Sequence, residues 1–158
     1  MSEPSDISIK KILLPIDGSS VSSKATKYAI HLAKTEAAEL TVLHVIEDIK
    51  QGGAIGLQEK YGNLSIVEAF KKAKQQSAQK WINSVEDIAN RNGVKVKSDI
   101  LDAEGTNEAR FIVKYMEDND IDLTVMGSTG RSTIERLFLG SVTNAVVNNT
   151  KRPVLVVH

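Results

Sequence analysis

The chain has 158 residues, of which 41% are hydrophobic and 25% charged, a composition typical of a soluble globular protein. Its 20 basic and 20 acidic residues balance. No net field therefore attracts nucleic acid or an anionic membrane, and we expect neither as a partner. Cysteine is absent, which excludes disulfide bonds and thiol chemistry.

Residues 1–158 are expected to form one domain, with residues 1–9 flexible. The first ten residues are polar and lack the apolar core of a signal peptide. No apolar run approaches the ~18–20 residues that would span a bilayer. The sequence therefore predicts a cytoplasmic protein.

Strands and helices are predicted in strict alternation. The strands are short apolar runs, at Lys11–Asp17, Leu40–Ile46, Val94–Leu101, Ile121–Met126 and Pro153–Val157. The helices have apolar residues three or four positions apart, over Ser19–Lys34, Ile66–Ile88, Glu108–Met116 and Ser141–Asn148. Either Ser19 or Ser20 can cap the first helix. Either Thr106 or Asn107 can cap the third.

This order predicts an α/β fold. Strands that are apolar on both faces fit a parallel sheet with helices on both sides. We expect one doubly wound, Rossmann-like sheet of five parallel strands in the order 3-2-1-4-5. Ligands of such sheets bind beyond the carboxyl ends of the strands, here at the loops after the first, second and fourth strands.

Two segments need separate interpretation. Residues 47–63 contain four glycines and are predicted to be a flexible loop, either a surface connection, which we favour, or a flap over the site. The long helix carries a stripe that we expect to face the core, formed by Ile66, Phe70, Ala73, Ser77, Trp81, Val85 and Ile88. Trp81 is therefore predicted to be a core residue.

The loop after the fourth strand runs from Gly127 to Ser141. Gly127 and Gly130 let its backbone approach a ligand closely, and side chains at Gly130 or Gly140 would occupy the space of a phosphate. Gly140 and Ser141 open the last helix, whose free N–H groups and positive dipole end suit a polyphosphate. Further hydrogen-bond donors or charge could come from Ser128, Arg131, Ser132, Ser141 and Thr143.

Here the chain resembles the ATP-binding branch of the universal stress protein family. That branch has a pattern of Gly, two residues, Gly, nine residues, then Gly followed by Ser or Thr, which Gly127, Gly130, Gly140 and Ser141 match in full. The opening KKILLPIDGS, the LHVIE strand, the LGSVTNAVV helix and the closing RPVLVV are similar to family blocks. Glu104–Asn107 departs from the Gly-x-Pro of many relatives, so the resemblance does not predict the shape of that wall of the pocket.

The resemblance implies the role of each site residue. Asp17 would contact the adenosine end of the nucleotide, and Val45 would hold adenine through its backbone. Gly127 would lie near the ribose. The phosphates would be lined by Gly130, Gly140 and Ser141, with Met126, Ser128, Arg131, Val142 and Thr143 as neighbouring candidates. The implied ligand is ATP, or else ADP or AMP, with Mg²⁺ or Mn²⁺ bridging the phosphates.

Other interpretations compete for single residues. Asp17 could close a turn or cap the first helix. His44 lies inside an apolar strand, which favours a packed, hydrogen-bonded residue over a ligand. The Gly127–Gly130 spacing also resembles the GXXG loop of KH RNA-binding domains, but that loop joins two helices, whereas this one follows a strand.

Three functions remain open. No nucleophile–base–acid set is visible, so we expect an ATP-binding stress or signalling protein without efficient turnover. The alternatives are a slow ATP hydrolase and a dimeric interaction protein with an incidental pocket. Pro153–Val157 is an apolar strand expected at the sheet edge, which predicts a homodimer paired through it.

Overall fold

A computed structural model describes residues 7–47, 53–103, 105–130 and 139–158. Residues 1–6 of the predicted flexible start, residues 48–52 of the glycine-rich segment, Glu104, and residues 131–138 of the predicted phosphate loop lie outside these ranges. Arg131 and Ser132 belong to that last group.

Five parallel strands form the sheet, in the order β3-β2-β1-β4-β5. The strands are β1 Lys11–Pro15, β2 Glu39–Ile46, β3 Val96–Asp102, β4 Leu123–Gly127 and β5 Val154–Val157. The predicted α/β fold and its strand order are confirmed, although β1 ends two residues early and β3 and β4 each begin two residues late.

The helices are α1 Ser20–Glu36, α2 Gly53–Lys60, α3 Leu64–Arg91, α4 Glu108–Asp118 and α5 Ser141–Asn149. Ser19 caps α1 by accepting a hydrogen bond from the Ser22 N–H, and Asn107 caps α4 by accepting one from Arg110. Within the described ranges, no helix combines the length and the apolar character needed to cross a bilayer.

The side chains of β1 show how the sheet is covered on both faces. Ile12 and Leu14 are buried in one apolar cluster with α1 and α3. Leu13 points the other way, into a second cluster with α4 and α5. All three are fully buried, which is why β1 is apolar at consecutive positions from Ile12 to Leu14 rather than at alternate ones.

The segment around α2 corrects one prediction. The glycine count of residues 47–63 predicted a loop, yet Gly53–Lys60 is helical. Gly53 has a φ of 84° and stands at the first position, where it does not interrupt the helix. None of the side chains of α2 is buried. Intrinsic helix formers such as Leu57 and Glu59 therefore outweigh Gly56.

The buried face of α3 corrects a second prediction. Its buried residues are Val67, Ala78, Ile82, Val85 and Ala89, of which only Val85 belongs to the predicted stripe. Ile66 and Ile88 are 47% and 39% exposed. The helix has two apolar faces, and the stripe read from the sequence mixes them.

Thr124, the second residue of β4, provides a test of the core. It is fully buried, and its Oγ1 atom finds no hydrogen-bond partner in the described part of the chain. Thr124→Val should stabilise the fold by about 1 kcal/mol, because it replaces an unsatisfied hydroxyl with a methyl group of the same size. We expect thermal unfolding to shift upwards by roughly 2–4 °C.

Thr26→Val is the matched control, because the buried Thr26 Oγ1 donates to the Ser22 carbonyl oxygen at 2.9 Å. That variant should gain nothing, since it removes a satisfied hydrogen bond. A lower melting temperature for Thr124→Val than for the wild type would contradict the assignment of an unsatisfied group.

Candidate functional site

A cavity of about 580 Å³ lies at the carboxyl ends of β1, β2 and β4. This is where the topology predicts a ligand, because the chain leaves β1 and β4 towards opposite sides of the sheet. The first turns of α4 and α5 and one side of α3 complete its lining.

The turn after β1 brings Asp17 to the cavity. Asp17 Oδ1 accepts a hydrogen bond from the Ser19 N–H at 3.0 Å, so the carboxylate closes the turn that starts α1. Its other oxygen faces the loop after β4, since a Cβ atom on Gly130 would lie 2.9 Å from Oδ2. Asp17 therefore closes the turn, as one interpretation predicts, and it also lines the cavity.

The ends of the loop after β4 are held together by backbone hydrogen bonds. The Gly140 N–H donates to the Ser128 carbonyl oxygen at 2.7 Å, and the Ser128 N–H donates to that of Val157 at 2.7 Å. A Cβ atom on Gly140 would lie 3.2 Å from Thr129 Cα. The absent side chain of Gly140 thus makes room for the neighbouring backbone.

The first turn of α5 opens into the cavity. Gly140 is its N-cap and supplies no side-chain hydrogen bond. The first intrahelical bond is donated by Asn144, so the preceding N–H groups have no helical partner. Thr143 Oγ1 donates to the Gly127 carbonyl oxygen at 2.7 Å and ties the helix start to β4. Such a terminus attracts anions.

Val45 presents a second set of backbone groups. The Ile16 N–H donates to the Leu43 carbonyl oxygen, whereas Ile46 bonds on the β3 side through Ala103. Backbone groups alternate sides along a strand, so those of Val45 face β1. Because β1 ends at Pro15, no described residue of the β1 side hydrogen-bonds to Val45, which lines the cavity.

The structure brings most of the predicted site residues to this one cavity. Those that line it are Asp17, Val45, Met126, Gly127, Gly130, Gly140, Ser141, Val142 and Thr143. Ser128 is not among them, because it is buried and its backbone is used to join β5 to Gly140. Arg131 lies outside the described residues.

The helix α3 forms a wall of the cavity that was not predicted from the sequence. Phe70, Lys74, Ser77 and Trp81 contribute to the lining. Lys74 Nζ lies 5.2 Å from the centroid of the Phe70 ring and 3.9 Å from Glu47 Oε2. Phe70, Ser77 and Trp81 belong to the predicted stripe of α3, but the sequence did not indicate that this part of the stripe faces a cavity.

Trp81 joins this wall to the turn after β1. Its ring meets the His44 ring edge to face at 5.3 Å between centroids, and His44 Nδ1 lies 2.7 Å from the Ile16 carbonyl oxygen. A Cβ atom on Gly18 would lie 2.3 Å from Trp81 Cε2, and Gly18 has a φ of 76°, so only glycine fits there. His44 is packed as predicted, but Trp81 is a cavity-wall residue as well as a core contact.

Glu108 is the other lining residue that sequence reasoning missed. Burial raises the pKa of its carboxyl group from 4.5 to about 7, with the Glu47 and Asp17 carboxylates adding to the shift and the Lys74 ammonium opposing it. No motif marks it, since a glutamate in the first turn of a helix is ordinary.

Metal-binding side chains are sparse in this region. Across the four described ranges, no group of three or more His, Cys, Asp or Glu residues could hold a metal ion. A divalent cation would therefore depend on ligands other than a protein cage. Magnesium commonly binds in this way, through substrate phosphates, water and one or two carboxylates.

Comparison with known proteins shows to which family this architecture belongs. The model of the universal stress protein family matches residues 8–158. Universal stress protein MJ0531 of Methanocaldococcus jannaschii is 38% identical over 148 residues, which cover 94% of this chain and 81% of that protein. MJ0577 of the same organism is 34% identical over 155 residues, 94% of each chain.

Solved structures agree with the fold. The structure of MJ0577 matches with a TM-score of 0.76 at 31% identity over 94% of each chain. UspA from Lactobacillus plantarum matches with a TM-score of 0.82 at 23% identity, over 96% of this chain and 99% of that one.

Two more distant matches were solved as nucleotide complexes. The universal stress protein from Archaeoglobus fulgidus in complex with dAMP has a TM-score of 0.67 at 15% identity, over 96% of this chain and 99% of that one. A universal stress protein in complex with cAMP has a TM-score of 0.64 at 23% identity, over 96% and 98%. From the family match over residues 8–158 and the identity to MJ0531, this chain belongs to the universal stress protein family.

Proposed function

We propose that this protein binds ATP, or else ADP or AMP, in the cavity beyond β1, β2 and β4. In this proposal it senses or stores the nucleotide in a stress or signalling response and does not turn it over efficiently. The observation that carries the proposal is that two sets of backbone groups without described partners, on Val45 and at the start of α5, line one cavity.

The two sets differ in the chemistry that they suit. The start of α5 offers N–H donors and a positive dipole end, which suit phosphate oxygens. Val45 offers one donor and one acceptor side by side. Adenine carries an amino donor next to a ring-nitrogen acceptor, whereas guanine reverses that order, with a carbonyl oxygen next to a ring N–H. For a base held in one orientation, the order of the two groups on Val45 therefore favours adenine.

The comparisons support the class of ligand. The complexes with dAMP and cAMP are those of distant family members, and both ligands are adenine nucleotides. In our proposal Mg²⁺ or Mn²⁺ arrives with the phosphates, whose oxygens supply most of the ligands of the cation. The protein then contributes the backbone N–H groups of Gly130 and of the start of α5, and the hydroxyl group of Ser141.

The first prediction about function concerns the choice of base. Mg-ATP should raise the melting temperature of the purified protein by roughly 5–10 °C at about 100 times its Kd, because a ligand that binds only the folded state stabilises it by mass action. Mg-GTP at the same concentration should raise it much less. Equal shifts with both nucleotides, or no shift with either, would reject the adenine assignment.

The second prediction tests the loop at Gly130. A Cβ atom there would enter the lining and, among the described residues, meet only the end of the Asp17 side chain. Gly130→Ala should therefore weaken Mg-ATP binding at least tenfold, about 1.4 kcal/mol, while leaving the unfolding of the free protein nearly unchanged. Titration calorimetry measures the first effect and urea denaturation the second.

Two further variants set the limits of this test. Gly56→Ala changes a glycine of α2 outside the lining and should bind as the wild type does. Gly140→Ala should lose both binding and stability, because its Cβ atom meets the Thr129 backbone. Wild-type affinity in Gly130→Ala would show that the phosphates lie elsewhere.

We also propose a homodimer that pairs the edge strand β5 of two copies. Thr124 and Ser128 donate to the carbonyl oxygens of Pro153 and Val157, so the odd-numbered residues of this segment bond to β4. By alternation the backbone groups of Val156 face the open edge. Such an edge pairs readily with a second strand, and two-fold pairing satisfies both copies.

The third prediction uses this alternation. Light scattering at micromolar concentration should give the wild type twice the chain mass of 17.2 kDa. Val156→Pro removes an N–H that points outward and leaves the ladder to β4 intact, so this variant should be a folded monomer. Val156→Thr keeps the N–H and should remain a dimer. A wild type of the mass of one chain would reject the proposal.

A further inference from the structure

Glu108 enters the cavity because another residue caps its helix. Asn107 Oδ1 accepts the hydrogen bond from the Arg110 N–H at 2.9 Å, so the carboxyl group of Glu108 is not used as a cap. The side chain is half-buried and lines the cavity instead. In the described part of the chain, no group donates a hydrogen bond to its carboxyl oxygens, and no cation lies within ion-pair distance of them.

The surroundings of Glu108 are apolar on the side of the sheet. Ile112, one turn further along α4, lines the cavity beside it. Ile112, Val45 and Met126 belong to one buried cluster, and all three are at most 4% exposed. This part of the cavity suits a flat heterocycle better than a polyphosphate, whose charge would be costly to remove from water.

The charged groups around Glu108 come from three elements. Asp17 follows β1, Glu47 follows β2, and Lys74 projects from α3. β4 and α5 contribute no charged side chain to the described lining, and His44, its remaining titratable side chain, contacts Ile16 and Trp81. With burial and two carboxylates outweighing one ammonium, the pKa of Glu108 is about 7.

We propose that Glu108 is a specificity-determining residue of the nucleotide site, whose carboxyl group in its protonated form pairs with the exocyclic amino group of adenine and the ring nitrogen beside it. This inference rests on the proposed function and assigns to that site a base-reading side chain in addition to the backbone of Val45. Val45 and Glu108 can serve adenine together, because its amino group is flanked by a ring nitrogen on each side.

The match depends on the protonation state. A neutral carboxylic acid has one O–H donor and one C=O acceptor, which fit the ring nitrogen and the amino group of adenine respectively. A carboxylate has acceptors only, and it repels the lone pair of the ring nitrogen. On its N7 side guanine presents two acceptors, N7 and the oxygen that replaces the amino group, so a neutral acid on that side can satisfy only one of them.

The sign of the pH effect follows from linkage. If adenine binds the protonated form, the bound protein holds this proton more tightly than the free protein does. Affinity for ATP is then full at pH values below the pKa of the free protein and falls as the pH rises through it. In the limit the loss approaches tenfold for each pH unit. Phosphate titration affects ATP and GTP alike, so it cancels in the ratio of the two affinities.

The fourth prediction is measured as that ratio. Titrations of the full chain with Mg-ATP and Mg-GTP, at about pH 6, 7 and 8, can be followed by the fluorescence of the single tryptophan, Trp81, which lines the cavity. We expect the preference of the wild type for ATP to fall about tenfold between the lowest and highest pH. Glu108→Gln should retain the preference at every pH, because the amide has the donor and the acceptor of the neutral acid.

Glu117→Gln is the matched control. Glu117 lies on the same helix, is exposed and is outside the cavity lining, so this variant should keep the pH dependence of the wild type. Circular dichroism at each pH checks that all three proteins are folded.

The outcomes separate this inference from the function on which it rests. Failure of the wild type to bind either nucleotide at any pH would reject both. An ATP preference that is constant with pH, and unchanged in Glu108→Gln, would overturn the role of Glu108 and leave adenine binding intact. ATP and GTP affinities that fall in parallel would also overturn it, because that result assigns the effect to repulsion of the phosphates.

Discussion

The strand β1 ends before its neighbour β2 does, and the rest of the site depends on this difference in length. The two strands pair as far as Pro15 and Leu43, after which β2 runs on to Ile46 with only β3 beside it. A notch is left at the centre of the sheet, between the ends of β2 and β4. Parallel strands bring three chain turns to this notch, and the backbone groups of Val45 face it instead of a neighbouring strand.

How much of this the sequence could predict depends on whether the information is local. The apolar runs of β1 and β2 identified buried parallel strands, because that signal lies within the strands themselves. The glycines after β4 also marked residues that line the cavity, Gly127, Gly130 and Gly140. The capping choices at Ser19 and Asn107 were likewise predicted, each as one of two neighbours.

Features that depend on contacts between distant segments were not predicted. The buried face of α3 is set by its packing against the sheet. The stripe predicted from spacing alone therefore included Ile66 and Ile88, which are exposed. The role of Trp81 follows from Gly18, 63 positions earlier, whose absent side chain makes room for the indole ring. Glu108 lines a cavity whose other walls include the end of β2 and the side of α3, both of which are distant from it in the sequence.

The charges of the site show why a backbone cradle suits this protein. Asp17, Glu47 and Glu108 place carboxyl groups in the lining, and within its described residues Lys74 is the single permanent cation. Side chains therefore supply little of the positive potential that a polyphosphate needs, and the helix dipole and N–H groups of α5 must supply more.

In the proposed complex, the backbone dipoles of α5 and a divalent cation would both stabilise the charge of the phosphates. The dipoles of α5 act over about one helical turn, so in the proposed complex they would stabilise the phosphates without neutralising the carboxylates further away. A divalent ion that arrives with the nucleotide would lower the charge that these carboxylates meet. Protonation of Glu108, as proposed above, would lower it again at the base. The acidic lining is thus compatible with an anionic ligand because each source of repulsion is relieved by something that is present only under defined conditions of metal and pH.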